Sequence, residues 1–504
     1  IMLQNKTVVL IGFFLIILSG CVPTAETAVP VEIAFTTPAH QVGHGMQLDA
    51  HPDVWDGYGE AVDADGELLV VGASEWNHGP DGLGRVYVYK GADGTWQETA
   101  QLTAGGRNDS QQGQMFGSSV AIDGTTIAVG APGTDDTETN ANIGAVYVFE
   151  YDGSAWSETA KLIPSRFDTE TADPQILWER DPKQRRWFGS LVALDEDLLA
   201  VAGASDAITL FQRDDTGWHE QSSITIPTSP EKEMFVTSLA LKGDTVAVSA
   251  FETNLPADDY IPFLQGKVTV YLFEQVRNRW RQSFQYIPEG NPDLLYFYDN
   301  IFGASVALSG ASGRAERLAV GLPGLPDLSS VTDIPEMQQN PFTFPPTTHQ
   351  TGMVTLFDRG EGNYWRQQAV LRPAGGETPP GPGFLVDNAA MFRETSYDET
   401  TGETYPVHTF PGHLYSENPE ISFFGANVSL DQNRLAVTAG YANTAYIFEQ
   451  QGTNWVYQFR LTPGPQDWED YGQVIALSGN TLVLGSPGEF GHAAYVFSLS
   501  ANQN

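Results

Sequence analysis

The sequence is poor in cysteine and in positive charge, and each shortage excludes something. Cys21 is the only cysteine in 504 residues, so no disulfide forms within the chain. Lysine and arginine number 25 against 63 aspartates and glutamates, which gives a formal net charge of −38. Such an acidic chain repels the phosphates of nucleic acid, and we therefore predict no nucleic-acid partner.

Catalytic and nucleotide-binding motifs are also missing. The sequence holds no Gly-x-Ser-x-Gly elbow, phosphate-binding loop or dinucleotide fingerprint. His408 and His413, with acidic residues near them, could supply metal ligands, but their spacing fits no helical or paired zinc pattern. Ordinary loop histidines are the simpler interpretation. We therefore predict no enzyme activity, no cofactor and no metal site.

Long apolar runs are scarce, and the clearest one lies near the start of the sequence. Lys6 precedes the run VVLIGFFLIIL, which is short for a membrane span and is followed by small residues, as in an export signal. Residues 18–21, Leu-Ser-Gly-Cys, resemble the lipobox of bacterial lipoproteins, in which the signal is cleaved before a cysteine that is then acylated. The resemblance implies lipidation of Cys21; an incidental buried thiol is the alternative.

These features divide the N-terminal region into two predicted segments. Residues 1–20 are a lipoprotein signal peptide, and residues 21–44, rich in Thr, Ala, Pro and Val, are a tether. Val22 stands where such lipoproteins carry Asp for retention in the inner membrane. We therefore predict a lipid-anchored protein of the bacterial cell envelope, at the outer membrane or cell surface.

What the sequence has in abundance is internal repetition. An aromatic residue, followed in six of seven cases by Gly, opens seven similar segments, at Tyr58, Phe116, Phe188, Phe235, Phe302, Phe424 and Tyr471. Each segment reads as short β-strands rich in Val, Ile, Tyr and Phe, with turn pairs such as Asp123-Gly124 between the first two. In the second strand, as in TIAVGAP from Thr126, neither face is polar, which is typical of a strand buried on both sides. Repeats of this kind predict stacked sheets.

The ends of the repeat array predict how it closes. Six copies carry a Trp near the start of a fourth strand, namely Trp96, Trp156, Trp218, Trp280, Trp365 and Trp455, and the seventh copy lacks that strand. Residues 45–50, before the first copy, match the missing strand. Pairing them with the last copy removes two open sheet edges. We predict an all-β, seven-bladed β-propeller over residues 45–500, with four-stranded antiparallel blades and an N-terminal strand closing the last blade.

The Phe-Gly pair and the Gly-Ala-Pro at Gly130–Pro132 carry a family resemblance. They resemble the FG-GAP repeats of the integrin α-subunit propeller, in the variant found in bacterial surface proteins, while Phe235-Val236 and Ala202-Gly203-Ala204 depart from the pattern. The integrin type often holds a calcium loop between its first two strands. Most of the corresponding turns in this sequence are too short and too poor in carboxylates to surround the ion, with Asp63, Asp65 and Glu67 the nearest approach.

The lengths of the connections distinguish the two faces of the predicted ring. Turns from first to second strand and from third to fourth share one face and are short, and the other connections share the opposite face. That opposite face carries every long insertion, at residues 133–142, 165–186, 252–265, 325–351 and 375–422. Long loops in compact folds are usually functional or disordered. The resemblance also implies ligand binding by this face.

Two insertions supply the candidate binding residues. Residues 165–186 form a basic and aromatic island with Trp178, Arg180, Arg185 and Arg186, residue types enriched in binding hot spots; a solvated loop that neutralises nearby carboxylates is the alternative. Residues 375–422 contribute Tyr397, Tyr405, His408 and His413.

We therefore predict a membrane-anchored recognition or adhesion module that binds a protein or glycan ligand. The alternatives are a hydrolase or lyase of extracellular polymers on the same scaffold, and a scaffold in an envelope assembly.

Overall fold

The computed structural model describes residues 32–33, 46–49, 57–74, 84–92, 95–105, 114–135, 143–164, 187–203, 206–229, 232–253, 264–288, 294–297, 300–301, 304–311, 313–323, 352–360, 364–371, 395–397, 404–406, 424–439, 444–461, 474–486 and 493–499. Within these ranges the strands form seven sheets of four or more strands and one separate hairpin. We number these sheets as blades 1 to 7 in chain order.

The strand bounds follow the repeats. Two strands precede blade 1: β1 (Glu32–Ile33) and β2 (Met46–Asp49). Blade 1 contains β3 (Tyr58–Asp65), β4 (Leu68–Ala73), β5 (Arg85–Ala92) and β6 (Thr95–Leu102). Blade 2 contains β7 (Ser119–Asp123), β8 (Thr126–Ala131), β9 (Ala145–Tyr151) and β10 (Trp156–Leu162). Blade 3 contains β11 (Leu191–Asp195), β12 (Leu198–Ala202), β13 (Ala207–Asp214) and β14 (Gly217–Thr225). Blade 4 contains β15 (Glu233–Lys242), β16 (Thr245–Thr253), β17 (Leu264–Val276) and β18 (Arg279–Tyr286), with the short β19 (Leu294–Phe297) and β20 (Asn300–Ile301).

The second half of the chain continues in the same way. Blade 5 contains β21 (Ser305–Ser309), β22 (Arg317–Leu322), β23 (Met353–Arg359) and β24 (Trp365–Leu371). The separate hairpin is β25 (Thr395–Tyr397) and β26 (Thr404–Pro406). Blade 6 contains β27 (Phe424–Asp431), β28 (Arg434–Ala439), β29 (Thr444–Gln451) and β30 (Asn454–Leu461). Blade 7 contains β31 (Val474–Ser478), β32 (Thr481–Ser486) and β33 (Ala493–Ser498).

The blades are antiparallel meanders arranged in a closed ring. In blades 1 to 6 the four main strands pair in chain order, and the first strand of each blade contacts the first strand of the next. The circuit is completed where β31 of blade 7 contacts β3 of blade 1. The first strands therefore form the inner wall and the fourth strands the outer rim, so the predicted seven-bladed propeller is confirmed.

Blade 7 takes its fourth strand from the N-terminal side of the chain. Strand β2 pairs antiparallel with β33, with Met46 opposite Val496, Gln47 opposite Tyr495 and Leu48 opposite Ala494. The side chain of Leu48 is buried against blades 7 and 1. The predicted closure is confirmed.

One more strand is added to the rim of the ring. Strand β1 pairs in parallel with β24, with Glu32 opposite Val370 and Ile33 opposite Leu371. It lies inside the segment predicted from sequence to be a tether, so the chain touches the rim of blade 5 before it reaches blade 7.

Apolar packing lies between the blades and not in one central core. Seven clusters of buried side chains occur, and each joins two adjacent blades. In β8 all six residues are buried, which confirms that this second strand is covered on both sides. Trp218, Trp365 and Trp455 are almost completely buried and the other three tryptophans are partly so, in accordance with a packing role.

In the part of the chain that the structure describes, glycines let the blades approach closely at one end of four interfaces. Gly117 has φ +97°, and a Cβ on it would lie 2.6 Å from the carbonyl oxygen of Arg85 in blade 1. A Cβ on Gly130, in the second strand of blade 2, would lie 1.9 Å from the carbonyl oxygen of Gly189 in blade 3. The same pairing of a second-strand glycine with the motif glycine of the next blade joins Gly72 to Gly117, Gly321 to Gly425 and Gly485 to Gly59. The repeated Phe-Gly and Gly-Ala motifs are thus two halves of one contact.

The interface between blades 3 and 4 lacks both glycines of this contact. Ala202 occupies the position of Gly130, and Val236 occupies the position of Gly117. Both side chains are buried in the cluster that joins these two blades. Side-chain packing replaces the close backbone contact, which explains why the two departures from the motif seen in the sequence occur at adjacent blades.

Two strands exceed their predicted bounds. The insertion expected over residues 252–265 is shorter, because β16 runs to Thr253 and β17 begins at Leu264. Thr253 is opposite Gly266, so this ladder continues into the segment taken as a loop.

We expect Gly130→Ala to destabilise the ring by about 3 kcal/mol or more, because the added methyl group collides with backbone atoms of blade 3. Urea unfolding followed by far-UV circular dichroism measures this. Gly124→Ala is the control: Gly124 also has a positive φ, +56°, but a Cβ there meets nothing within 4 Å. Its cost should be about 1 kcal/mol. Equal losses in the two variants would contradict the close-contact role of Gly130.

Candidate functional site

The two ends of the ring differ in the length of their connections. At one end, which we call the turn end, most connections from first to second strand and from third to fourth are two to five residues long. At the other, the loop end, connections reach their greatest length between Leu371 and Phe424. The predicted sorting of connections by face is therefore confirmed by the strand order.

The turn end is fastened by a repeated hydrogen bond between blades. The last residue of a first strand accepts a hydrogen bond from a backbone N–H in the first turn of the next blade. The pairs are Asp65 with Gly124 at 2.7 Å, Asp123 with Glu196 at 2.6 Å, Asp195 with Gly243 at 2.7 Å, Asp431 with Gly479 at 2.6 Å, and Ser478 with Gly66 at 3.0 Å. These carboxylates hold the ring together, a role that the sequence analysis missed. The recurrence of Asp before the first turn was the available signal.

Arginines add a second link between blades at the same end. Arg213 of blade 3 pairs with Glu150 of blade 2 at 3.1 Å and with Asp197 of its own blade at 2.5 Å. Arg359, at the equivalent position of blade 5, pairs with Asp244 at 2.8 Å and Glu274 at 3.0 Å, both in blade 4.

The Arg359 site is the more deeply buried of the two. The side chains of Arg359 and Glu274 are only 2% and 7% exposed, against 31% and 33% for Arg213 and Glu150. The indole N–H of Trp365 donates to Glu274 at 3.0 Å. Lys242 stands at the end of β15 where blades 1, 2, 3 and 6 have Asp, and the Arg359 site joins blades 4 and 5 in place of that clasp.

We expect Arg359→Met to cost about 3–5 kcal/mol of stability, because it leaves the carboxylate of Glu274 buried without its cation. The matched control is Arg213→Met, which removes the same contact at a more exposed position and should cost about 1 kcal/mol. Urea midpoints of the two variants provide the comparison. Arg359 would not be the main link between blades 4 and 5 if both variants lost the same amount.

Two partly buried carboxyl groups with raised pKa values lie on β3, in the inner wall of the ring. Asp63 accepts hydrogen bonds from the backbone N–H groups of Ala64 at 2.9 Å and Ile122 at 2.8 Å, so it too joins blade 1 to blade 2. Burial raises its pKa to about 7 despite these bonds. Glu60, near the loop end, accepts a hydrogen bond from the hydroxyl of Ser74, and burial raises its pKa to about 7 as well.

The raised pKa values predict how stability depends on pH. A carboxyl group whose pKa is higher in the folded state stabilises the fold when protonated, and that contribution is lost as pH rises from about 4 through about 7. We expect Glu60→Gln to be about as stable as the unaltered protein at pH 5 and more stable by about 1–3 kcal/mol at pH 8. Thermal unfolding at pH 5, 6, 7 and 8 measures the difference. Glu67→Gln, at an exposed turn, controls for the loss of one negative charge, and a pH-independent difference would contradict the assignment.

Most of the predicted binding residues lie outside the described residues. These are Trp178, Arg180, Arg185, Arg186, His408 and His413, together with the predicted lipidation site Cys21. Tyr397 and Tyr405 fall in the small hairpin, where Tyr397 is opposite Thr404 and Tyr405 is opposite Ser396. The structure therefore brings these two tyrosines into adjacent strands.

The described ranges contain neither a cluster of metal-ligating side chains nor a membrane-spanning helix. No group of three or more His, Cys, Asp or Glu side chains lies within reach of one metal ion there. Nor do those ranges contain a helix of the length and apolarity needed to cross a bilayer.

The chain is similar to several solved structures, but at low sequence identity. U3-55K is 10% identical, with a TM-score of 0.44 over 90% of this chain and 98% of that one. Sqt1 of Saccharomyces cerevisiae is 10% identical, with a TM-score of 0.39 over 91% and 99%. A putative 6-phosphogluconolactonase from Bacteroides uniformis is 8% identical, with a TM-score of 0.39 over 79% and 83%. Scores this low carry no argument about this chain.

Sequence comparison gives a more direct result. No curated protein matches the chain. Residues 96–149, which run from the fourth strand of blade 1 into the third strand of blade 2, match the family model of the FG-GAP repeat. Together with the seven blades and the glycine contacts between them, this match identifies the chain as an FG-GAP repeat β-propeller.

Proposed function

We propose that this protein is an extracytoplasmic recognition module that binds a protein or glycan ligand through the loop end of its propeller. The observation that supports this most is the contrast between the two ends. At the turn end, polar side chains of the first turns are used in hydrogen bonds and ion pairs between blades. The loop end carries the long connections, whose length is not needed to join the strands.

Size is the physical argument for assigning binding to the loop end. A stable interface with a protein buries about 800 Å² on each partner. Two-residue turns already committed to clasping neighbouring blades offer little surface that can adapt to a ligand. Insertions such as residues 375–422 can supply that area without disturbing the ring, because each leaves and re-enters at strand ends.

Loop variants that are compared for their affinity to one identified partner test the ligand-binding proposal. Tagged protein is extracted in mild detergent, its partner is identified, and binding is remeasured by biolayer interferometry with purified components. We expect replacement of residues 375–422 by a short Gly-Ser linker, and the pair Trp178→Ala with Arg180→Ala, each to weaken binding at least tenfold. Both should leave the thermal unfolding of the ring within a few degrees.

The matched control likewise removes one aromatic residue and one arginine, but from the turn end. Tyr364 and Arg366 are exposed in blade 5, and Tyr364→Ala with Arg366→Ala should leave binding unchanged. If this pair weakens binding as much as the loop changes do, or if both loop changes are without effect, the loop end is not the recognition surface.

We also propose that Cys21 is acylated and anchors the protein to the cell envelope, at the outer membrane or cell surface. The support is the Leu-Ser-Gly-Cys sequence after an apolar run, together with the lack of any second cysteine. Cys21→Ala should abolish incorporation of an alkyne-labelled fatty acid and release the protein from the membrane fraction. Persistence of the label would contradict acylation at Cys21.

A further inference from the structure

The outer strand of blade 4 differs from the other outer strands in charge. Arg277, Arg279 and Arg281 lie within five residues and are exposed. Arg279 and Arg281 flank the strand's Trp280. The residues that flank the equivalent tryptophans are Thr95 and Gln97, Ala155 and Ser157, Gly217 and His219, Tyr364 and Arg366, and Asn454 and Val456. Blade 4 alone therefore has arginine on both sides of this tryptophan.

These three arginines lack the partners that other arginines of the ring have. Arg213, Arg317, Arg359 and Arg434 each pair with a carboxylate at 3.4 Å or less. The side chains of Arg277, Arg279 and Arg281 make no ion pair or hydrogen bond within the described part of the chain. In a protein with a net charge of −38, carboxylates are plentiful, yet none of those in the described ranges forms an ion pair with this group. Three free guanidinium groups are well suited to bind carboxylates of another molecule.

The same arginines line a hollow in the surface. Its volume is about 480 Å³, and its lining residues are Val276, Arg277, Arg279 and Arg281. This volume lies within the range that accommodates ligand groups, roughly 300–1,000 Å³. Val276 is 47% exposed and offers the hollow an apolar contact.

Strand β18 also has an unused edge. It pairs with β17 on one side, and no described residue pairs with it on the other. Unpaired edges present backbone N–H and C=O groups that another strand can bind. Two rims of this ring already accept a strand from elsewhere in the chain, since β1 pairs with β24 and β2 pairs with β33.

We propose that blade 4 binds an extended acidic polypeptide segment, which adds as a strand to the free edge of β18 and places alternate carboxylates opposite Arg279 and Arg281. Alternate residues of a strand project from the same face about 7 Å apart, so both arginines face the same side of the added strand. Directly opposed residues have Cβ atoms about 5 Å apart, within reach of a bidentate arginine–carboxylate contact. The next side chain of the bound segment enters the hollow beside Arg277 and Val276.

The register of β18 limits the length of the bound segment. Gln282 is opposite Phe273 and Phe284 is opposite Leu272, so Ser283 is an extra residue that interrupts the ladder. The regular edge therefore runs from Arg279 to Gln282. A segment of about five residues with acidic side chains at every second position fits this edge.

Edge pairing favours a polypeptide over other anions. An acidic polysaccharide supplies charge but lacks the regular series of backbone donors and acceptors that the edge needs. An anionic bilayer is flat at this scale and does not enter a hollow. The net negative charge of the ring opposes approach, but the Debye length of about 8 Å at physiological ionic strength screens most of it, and the three arginines dominate locally.

The proposal concerns a different surface from the loop end, and its test is independent of that function. The full chain is titrated against two fluorescent peptides in an anisotropy assay. One peptide alternates Thr and Glu, and the other has the same composition with its glutamates in adjacent pairs. We expect the alternating peptide to bind at least tenfold more tightly. Arg279→Gln with Arg281→Gln should weaken it tenfold or more, and so should N-methylation of its pairing residues.

The control is Arg366→Gln, which removes the same charge from the equivalent exposed position of blade 5 and should leave affinity unchanged. Circular dichroism checks the fold of each variant. Equal affinity for the two peptides, or equal loss with Arg366→Gln, would overturn the proposal in favour of unspecific charge attraction. Binding of a heparin oligosaccharide or of phosphatidylglycerol vesicles that depends on Arg281 and exceeds the peptide's affinity would overturn the choice of a polypeptide.

Discussion

The close contact between two glycines of neighbouring blades is the constraint on which the ring depends. Stacked sheets ordinarily lie about 10 Å apart because side chains separate them. Where Gly130 meets the backbone at Gly189, neither glycine has a side chain to separate the sheets, and the blades approach further at the loop end. At the turn end the same two blades are joined by Asp123 and the N–H of Glu196. Each such interface is thus fixed at both ends, with an apolar cluster between.

The exceptions show that neighbouring blades can also pack without the glycine contact. Blades 3 and 4 replace both glycines with Ala202 and Val236, which pack into their shared cluster. Blades 4 and 5 lack the aspartate clasp and have the buried Arg359 site instead. A buried ion pair adds little net stability by comparison with apolar packing, but it is sensitive to loss of either partner.

Much of the architecture could be predicted from the sequence, because its signals recur at a regular spacing. The recurring aromatic-Gly pairs and second strands predicted the number of blades. The seventh repeat has no fourth strand of its own, and this absence predicted how the ring closes. The links between blades could not be predicted in this way. Asp65 reaches Gly124 and Arg359 reaches Asp244 across more than 50 residues of chain, and no local pattern indicates such partners. The arginines of β18 were missed for a different reason: they are distinctive only when the residues beside Trp280 are compared with those beside the equivalent tryptophans of the other blades.

The strand β1 has a mechanical consequence. Tension applied upstream of Glu32 reaches blade 5 first, where two residue pairs hold β1 to β24. Only after these separate does the load pass to the four residue pairs between β2 and β33, which keep the circle shut. The shorter ladder between β1 and β24 therefore separates first and protects the closure of the ring. A molecule held from that end under flow would yield at its rim before its blades open.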